Sequence, residues 1–291
     1  MSPTASKTTL STDTDQEHSP MQDQLQPVAR TPRPDAPHSP ASHAGPSHPE
    51  PAPLSLGRSV SVELRKLVNT RSQQAIMVGG LLLASVFAGG RALFSNDGTT
   101  VSDLVSMAAG PAGWMLMVLA VLLVSSEFSR RSIETSLVLD PSRTRYLASK
   151  IIAVLLAALV TMAGCLVLAV GAAVVGPLLG GDQIPMTFDA RQLAVVAGSL
   201  VFVGLAALAW ALATRNAPAP IMVLLLWPTI SMMISSLSAQ ADRIISWVDV
   251  EPVWSLVDPT AGVLARFATS TLVWIVLPAA VGVYRLLKRD L

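Results

Sequence analysis

The chain has 291 residues, of which 51% are hydrophobic and 13% are charged, and its formal net charge is +1. Soluble domains carry about 25% charged residues, so this composition is typical of a membrane protein. The small net charge points to no nucleic acid or other acidic partner. The single cysteine, Cys165, excludes an intramolecular disulfide.

Residues 1–57 are predicted to form a disordered tail rich in Pro, Ser and Thr. The first 53 residues hold eleven of the 21 prolines, all four histidines and no aromatic residue. Such a segment cannot bury enough apolar surface to offset the backbone entropy of folding. The spacing of the histidines matches no metal motif, so we expect no metal site.

The next stretch, RSVSVELRKLVNTR, predicts an amphipathic helix lying along the membrane surface. Val60, Leu64, Leu67 and Val68 recur at helical spacing, and charged side chains occupy the other faces. The alternative is a simple extension of the first membrane span. The residues assigned to this surface helix are Glu63, Leu64, Arg65, Lys66, Leu67 and Arg71.

Six apolar runs are the candidate membrane spans, since about 18 or more apolar residues can cross a hydrocarbon core about 30 Å thick. The predicted spans are residues 75–94, 107–124, 151–176, 193–213, 221–237 and 270–284. Pro228 interrupts the fifth run, for which we expect a kinked helix and not a loop. The predicted fold is therefore all-α, a polytopic bundle of six transmembrane helices over residues 58–291.

The distribution of Lys and Arg predicts the orientation. Thirteen of them lie in the connections 58–74, 127–150, 214–219 and 285–291, whereas the other side holds four, counting Arg91 at the end of the first span. We therefore expect a multi-pass plasma membrane protein that is surrounded by membrane lipids. Because positive residues accumulate on the cytoplasmic side, both of its termini are expected in the cytoplasm.

The predicted spans contain no Asp, Glu, Lys or His between their ends, and their one arginine is Arg91. Ion-coupled transporters and haem proteins need such groups at depth. No catalytic constellation appears, and none of the four lysines follows a glycine as a phosphate-binding loop requires. We therefore expect no enzyme, no bound cofactor and, if ATP is used, a separate chain that hydrolyses it.

The connection 127–150 places eight charged residues between the second and third spans. Each charge at the centre of a bilayer costs about 2.5–3.5 kcal/mol on insertion scales, so the sequence predicts a cytosolic loop. Asp140, Pro141 and Ser142 are expected to stop one short helix and cap a second that leads through Arg143 into the third span. A rigid, charged loop of this kind can receive force from a soluble partner, and a simple connector is the alternative.

The run EFSRRSIETSLVLDPSR, followed by Lys150, resembles the loop after the second span in permeases of the type 2 ATP-binding cassette exporter class, particularly those of actinobacteria. The positions that match are Glu127, Phe128, Ser132, Leu137, Pro141, Arg143 and Lys150, while Arg131 stands where the family often has glycine. Residues 62–71, VELRKLVNTR, are similar to that family's membrane-surface helix. The tail has no counterpart.

The resemblance implies a permease domain with six spans, a second permease subunit in a homodimer or heterodimer, and separate P-loop ATPase subunits that bind the 127–150 loop. It further implies that the connection between spans five and six, with Trp247, Pro252, Trp254 and Pro259, folds partly back into the membrane. The loop residues expected to couple to the ATPase are Glu127, Phe128, Arg130, Ser132, Glu134, Leu137, Asp140, Pro141, Arg143 and Lys150.

The functional hypothesis is an ATP-driven exporter of a hydrophobic or amphiphilic substrate that the sequence does not identify. Two alternatives remain open. A secondary transporter would need an ion site made of backbone carbonyls and hydroxyls, and a non-transporting scaffold or assembly protein would stimulate no ATPase.

Overall fold

The computed structural model describes residues 56–94, 98–129, 143–249, 253 and 262–287. All regular structure in these ranges is helical, which confirms the predicted all-α fold. The tail predicted for residues 1–57 lies outside the described residues, except that Leu56 and Gly57 already belong to the first helix.

The described residues form nine α-helices, which we number along the chain. They are α1 Leu56–Val68, α2 Arg71–Leu93, α3 Val101–Ser129, α4 Arg143–Val175, α5 Ala190–Thr214, α6 Pro218–Ser235, α7 Ala239–Ile245, α8 Val263–Thr271 and α9 Leu277–Leu287. A 3-10 turn at Gly176–Leu179 extends α4, and a π-helical turn at Leu272–Val276 joins α8 to α9 in one continuous helix.

Among the described residues, six helical stretches are long and apolar enough to cross a membrane, which agrees with the predicted number of spans and confirms a multi-pass membrane protein. Their bounds are Arg71–Leu93, Val101–Glu127, Thr144–Leu179, Ala190–Thr214, Pro218–Ser235 and Val263–Arg285. All six are longer than predicted because hydropathy marks only the apolar part of a helix, whereas backbone hydrogen bonding continues to a cap. Asp189 is such a cap, since its Oδ1 accepts the N–H groups of Arg191 and Gln192.

The fifth span is helical through its interior proline and is not a loop, as predicted, while the kink expected there stays a prediction. Pro228 removes one backbone donor, and α6 nevertheless continues to Ser235. The serines near its end are satisfied locally, because the Ser231 hydroxyl donates to the Pro228 carbonyl at 3.0 Å and Ser236 donates to Met233 at 2.7 Å. Such bonds keep polar groups paired where lipid offers no partner.

Small residues bring α2 close to its neighbours within the same chain. Ala84, Ala88 and Ala92 follow one another at four-residue spacing, and each is fully buried. A Cβ on Gly80 would stand 2.6 Å from the Met115 Cβ, and one on Gly176 would stand 3.2 Å from the Ala92 Cβ. This stripe therefore serves helix packing inside the subunit.

The direction of α3, α4 and α5 alternates. Gln192 at the start of α5 donates its side-chain amide to Asp103 at the start of α3, over 3.0 Å. At the other extremity, Lys150 near the start of α4 lies 3.0 Å from Glu127 near the end of α3. We call the extremity with Glu127 and Lys150 the α1 end, because α1 packs there, and the one with Asp103 the opposite end.

The connection after α6 returns to the helices at Val253. This side chain is 5% exposed and packs against Gly198, two turns inside α5. Trp247 is 41% exposed, whereas Pro252, Trp254 and Pro259 lie outside the described residues. The re-entrant connection that the resemblance implies remains a prediction.

Candidate functional site

Four charged side chains from three helices meet at the α1 end. Glu63 and Lys66 come from α1, Glu127 from the last turn of α3, and Lys150 from the third turn of α4. Lys150 is 0% exposed, Glu127 5% and Glu63 6%. We call these four residues together with Tyr146 the ionic cluster.

Lys150 lies at the centre of the ionic cluster. Its Nζ is 3.0 Å from Glu63 Oε2, 3.0 Å from Glu127 Oε1 and 3.3 Å from the carbonyl oxygen of Leu123. The same Nζ lies 4.7 Å from the centroid of the Tyr146 ring, within the range of a cation–π contact. All three protons of the ammonium group therefore have acceptors inside the protein.

The remaining carboxylate oxygens are also paired. Lys66 Nζ donates to Glu63 Oε1 at 2.9 Å and to Glu127 Oε1 at 2.6 Å, and the Tyr146 hydroxyl donates to Glu127 Oε2. The ionic cluster thus holds two carboxylates and two ammonium groups with no net charge. Complete pairing of this kind is what allows buried charges to be tolerated, since an unpaired buried ion carries a large desolvation penalty.

Lys66 is the most accessible charge of the cluster, with its side chain 38% exposed. Burial lowers the pKa of its ammonium group, but the hydrogen bonds and charges of Glu127 and Glu63 outweigh that effect and raise the pKa above its usual value. Lys66 is therefore protonated at neutral pH and links α1 to α3.

The structure corrects three details of the prediction for α1. Glu63 was assigned to a polar face, but it lies on the buried face with Val60 and Leu67, at i, i+3 and i+7. Val68, assigned to the apolar face, is 51% exposed. Arg71 is the first residue of α2 and not part of α1.

The surface helix is separate from the first span. An extended residue, Thr70, caps α2 by accepting the Gln73 N–H, so the alternative of one continuous helix is wrong. Of the other predicted surface-helix residues, Arg65 is exposed, Leu64 packs against the core and Leu67 is 6% exposed.

The stretch 127–150 is not wholly a loop. α3 continues to Ser129 and α4 begins at Arg143, so Glu127 and Lys150 lie on helices and are buried. A helix through Lys150 was predicted, whereas Glu127 was expected in the connection outside the second span. Both side chains are buried because a charge that finds a buried partner no longer requires exposure to water. Arg143 is helical, as predicted.

The other predicted coupling residues are not placed by the structure. Arg130, Ser132, Glu134, Leu137, Asp140 and Pro141 lie outside the described residues. Phe128 and Arg143 belong to helices, but their side chains are also outside what is described. Of the predicted coupling set, Glu127 and Lys150 are the two residues that the structure brings together.

Tyr146 is a cluster residue that the sequence analysis missed. It precedes Lys150 by four residues, so both side chains lie on one face of α4. That spacing was the available signal, but nothing in the sequence indicates that Glu127 accepts the hydroxyl.

The ionic cluster is suited to a mechanical role. It connects three helices through side chains that cannot separate without exposing unpaired charge. Among the described residues, no three His, Cys, Asp or Glu side chains are grouped to hold a metal ion.

No family model matches the chain, and a search of curated proteins finds no match.

Proposed function

We propose that this chain is the membrane-spanning subunit of an ATP-driven exporter, similar to permeases of the type 2 ATP-binding cassette class. ATP is hydrolysed by a separate P-loop ATPase subunit, and a second permease subunit completes the transporter. Both termini face the cytoplasm, in accordance with the excess of Lys and Arg at the α1 end.

The ionic cluster is the observation that carries this proposal. Residues 130–142 connect α3 to α4, and the cluster includes Glu127 just before this segment and Lys150 just after it. Glu63 and Lys66 extend the connection to α1. A force applied to residues 130–142 is therefore transmitted to three helices together.

The energetic argument favours movement as one body. Breaking a buried ion pair by separating one partner costs about 3–5 kcal/mol, whereas sliding of apolar helix surfaces exposes no charge to lipid. The joined ends of α1, α3 and α4 would therefore move together while the other helices change their positions. This is the behaviour required of an element that couples a soluble motor to membrane helices.

The first experiment asks whether a P-loop ATPase copurifies with the full chain in a mild detergent. Copurification together with ATPase activity that a hydrophobic or amphiphilic compound stimulates would support the exporter. Transport that stops when the ion gradient is dissipated, without an ATPase, would instead indicate a secondary transporter. An absence of both activities would indicate a scaffold.

The second experiment tests the coupling segment with the triple variant Glu134→Ala, Asp140→Ala and Arg143→Ala. We expect ATPase binding or substrate-stimulated ATPase activity to be lost while the spans remain folded. The matched control is Asp242→Ala with Arg243→Ala, which removes exposed charges from α7. Unchanged copurification and transport in the triple variant would refute the role of the segment.

A further inference from the structure

The outward face of α1 carries arginines and valines in one continuous stripe. Arg58, Val62, Arg65 and Val68 follow one another at spacings of four, three and three residues, which places neighbouring members side by side on a helix surface. All four are exposed, Val62 at 47% and Val68 at 51%. We call these four residues, together with the exposed Arg71 at the start of α2, the basic stripe.

The burial of Glu63 leaves this face without a negative charge. Arg58 and Arg65 each lie two positions from a buried residue of α1, and two positions correspond to about 200° around a helix. Glu63 is the one acidic residue between positions 56 and 74, and its carboxylate is paired inside the ionic cluster. The basic stripe therefore presents three positive charges on the side of α1 that faces away from the cluster.

The three guanidinium groups are available to a partner outside the chain. Within the part of the chain that the structure describes, Arg58, Arg65 and Arg71 form no ion pair and no side-chain hydrogen bond. A guanidinium group presents its donors in a planar fork that matches the oxygens of a phosphate. The stripe is thus suited to a partner that offers several phosphate groups.

The position of α1 places the basic stripe at the membrane surface. α1 ends at Val68 and the first span begins at Arg71, so two residues separate them. On its other side, α1 is held to α3 and α4 by the ionic cluster. The outward face of α1 therefore lies beside the leaflet at the α1 end, where lipid phosphates adjoin the acyl chains.

The alternation of charged and apolar residues favours lipid over an acidic protein. An acidic peptide could pair with the arginines, but the exposed Val62 and Val68 would then stand among charged groups. At the boundary of a bilayer, the same helix face meets phosphates and hydrocarbon within one turn. Both kinds of side chain then have a suitable environment.

We propose that the basic stripe binds acidic phospholipids of the adjoining leaflet, with phosphate groups at Arg58, Arg65 and Arg71 and the two valines at the edge of the acyl region. In the orientation proposed above, this is the cytoplasmic leaflet. The binding requires no ATPase, so lipid binding and ATP-driven export can fail independently of each other.

The test is native mass spectrometry of the full chain in detergent, titrated with phosphatidylglycerol and phosphatidylcholine at equal concentrations. We expect tighter binding of phosphatidylglycerol. Each of Arg58→Gln, Arg65→Gln and Arg71→Gln should reduce the ratio of the two affinities by up to about fivefold, and the three together should bring it close to one. Arg243→Gln, which changes an exposed arginine of α7, should leave the ratio unchanged.

Two further measurements separate lipid recognition from folding. The triple lysine variant, Arg58→Lys with Arg65→Lys and Arg71→Lys, keeps the charges and should retain most of the preference. Thermal unfolding of the triple glutamine variant, measured without added lipid, should match that of the unmodified chain, because these guanidinium groups have no partner among the described residues.

Three results would each overturn the proposal: equal affinity for the two lipids, a triple glutamine variant that keeps the ratio, or an Arg243→Gln effect equal to that of Arg65→Gln. Loss of a copurifying protein from the triple glutamine variant, with an unchanged lipid ratio, would also overturn it and would identify an acidic protein partner instead.

Discussion

Replacing Lys150 with methionine keeps most of the side-chain volume and a high helix propensity, but removes an ammonium group that lies between two buried carboxylates. Glu63 Oε2, 3.0 Å from Lys150 Nζ, would lose the one donor that it has in the ionic cluster, and Glu127 would keep Lys66 and Tyr146. The cluster would change from neutral to a net charge of minus one inside the protein.

The expected loss is about 3–5 kcal/mol of unfolding free energy, the usual result of removing one partner of a buried ion pair. For a domain of this size that corresponds to a decrease in Tm on the order of 10 °C. Adding Glu63→Gln should restore part of the loss, because the double variant is again neutral. We expect a coupling energy of about 1–3 kcal/mol between the two sites.

Cys165 provides the assay. It is the one cysteine of the chain and is 1% exposed, so a thiol-reactive dye reports unfolding of the purified protein in detergent. Arg65→Met removes an exposed cation from α1 and should change stability by less than about 0.5 kcal/mol. A Lys150→Met variant as stable as the Arg65→Met control, or strict additivity with Glu63→Gln, would refute the reasoning.

Three further predictions concern the same helices. Tyr146→Phe removes the hydroxyl that donates to Glu127 and should cost about 1.5–3 kcal/mol, as bonds to charged groups do; thermal unfolding no different from that of the unmodified chain would contradict this. Gly282→Ala should separate α9 from α5, because the new Cβ would lie 2.7 Å from the Leu212 Cβ and 2.9 Å from its backbone carbon, and should cost about 1–3 kcal/mol. Its control, Gly171→Ala, meets nothing within 4 Å and should be neutral or stabilising. Because the pKa of Lys66 is raised above 10.5 in the folded state, its contribution is fully present below that pH and is lost as the pH rises through the folded-state pKa. The stability difference between the unmodified chain and Lys66→Met should therefore stay constant up to about pH 10.5 and decrease above it, as followed by circular dichroism. A decrease that begins near neutral pH would show that another group is responsible.

The candidate site was predicted in part. Glu127 and Lys150 were named from the loop pattern, and Glu63 and Lys66 from the amphipathic stretch, but as members of two separate features. Their contact spans 87 residues of sequence in the case of Glu63 and Lys150. No local pattern encodes such a contact, because it depends on how α1, α3 and α4 rotate and slide against one another.

The sequence by itself determined the fold class and the number of spans. Both follow from the length of apolar runs, because the hydrophobic effect and backbone hydrogen bonding act along each segment independently of its neighbours. Only the tertiary structure decided which side of α1 is buried, since Glu63 became an inner residue once Lys150 was placed opposite it. Val253 of the connection after α6 likewise lies against Gly198 of α5, and packing between distant segments is a property of the folded chain alone.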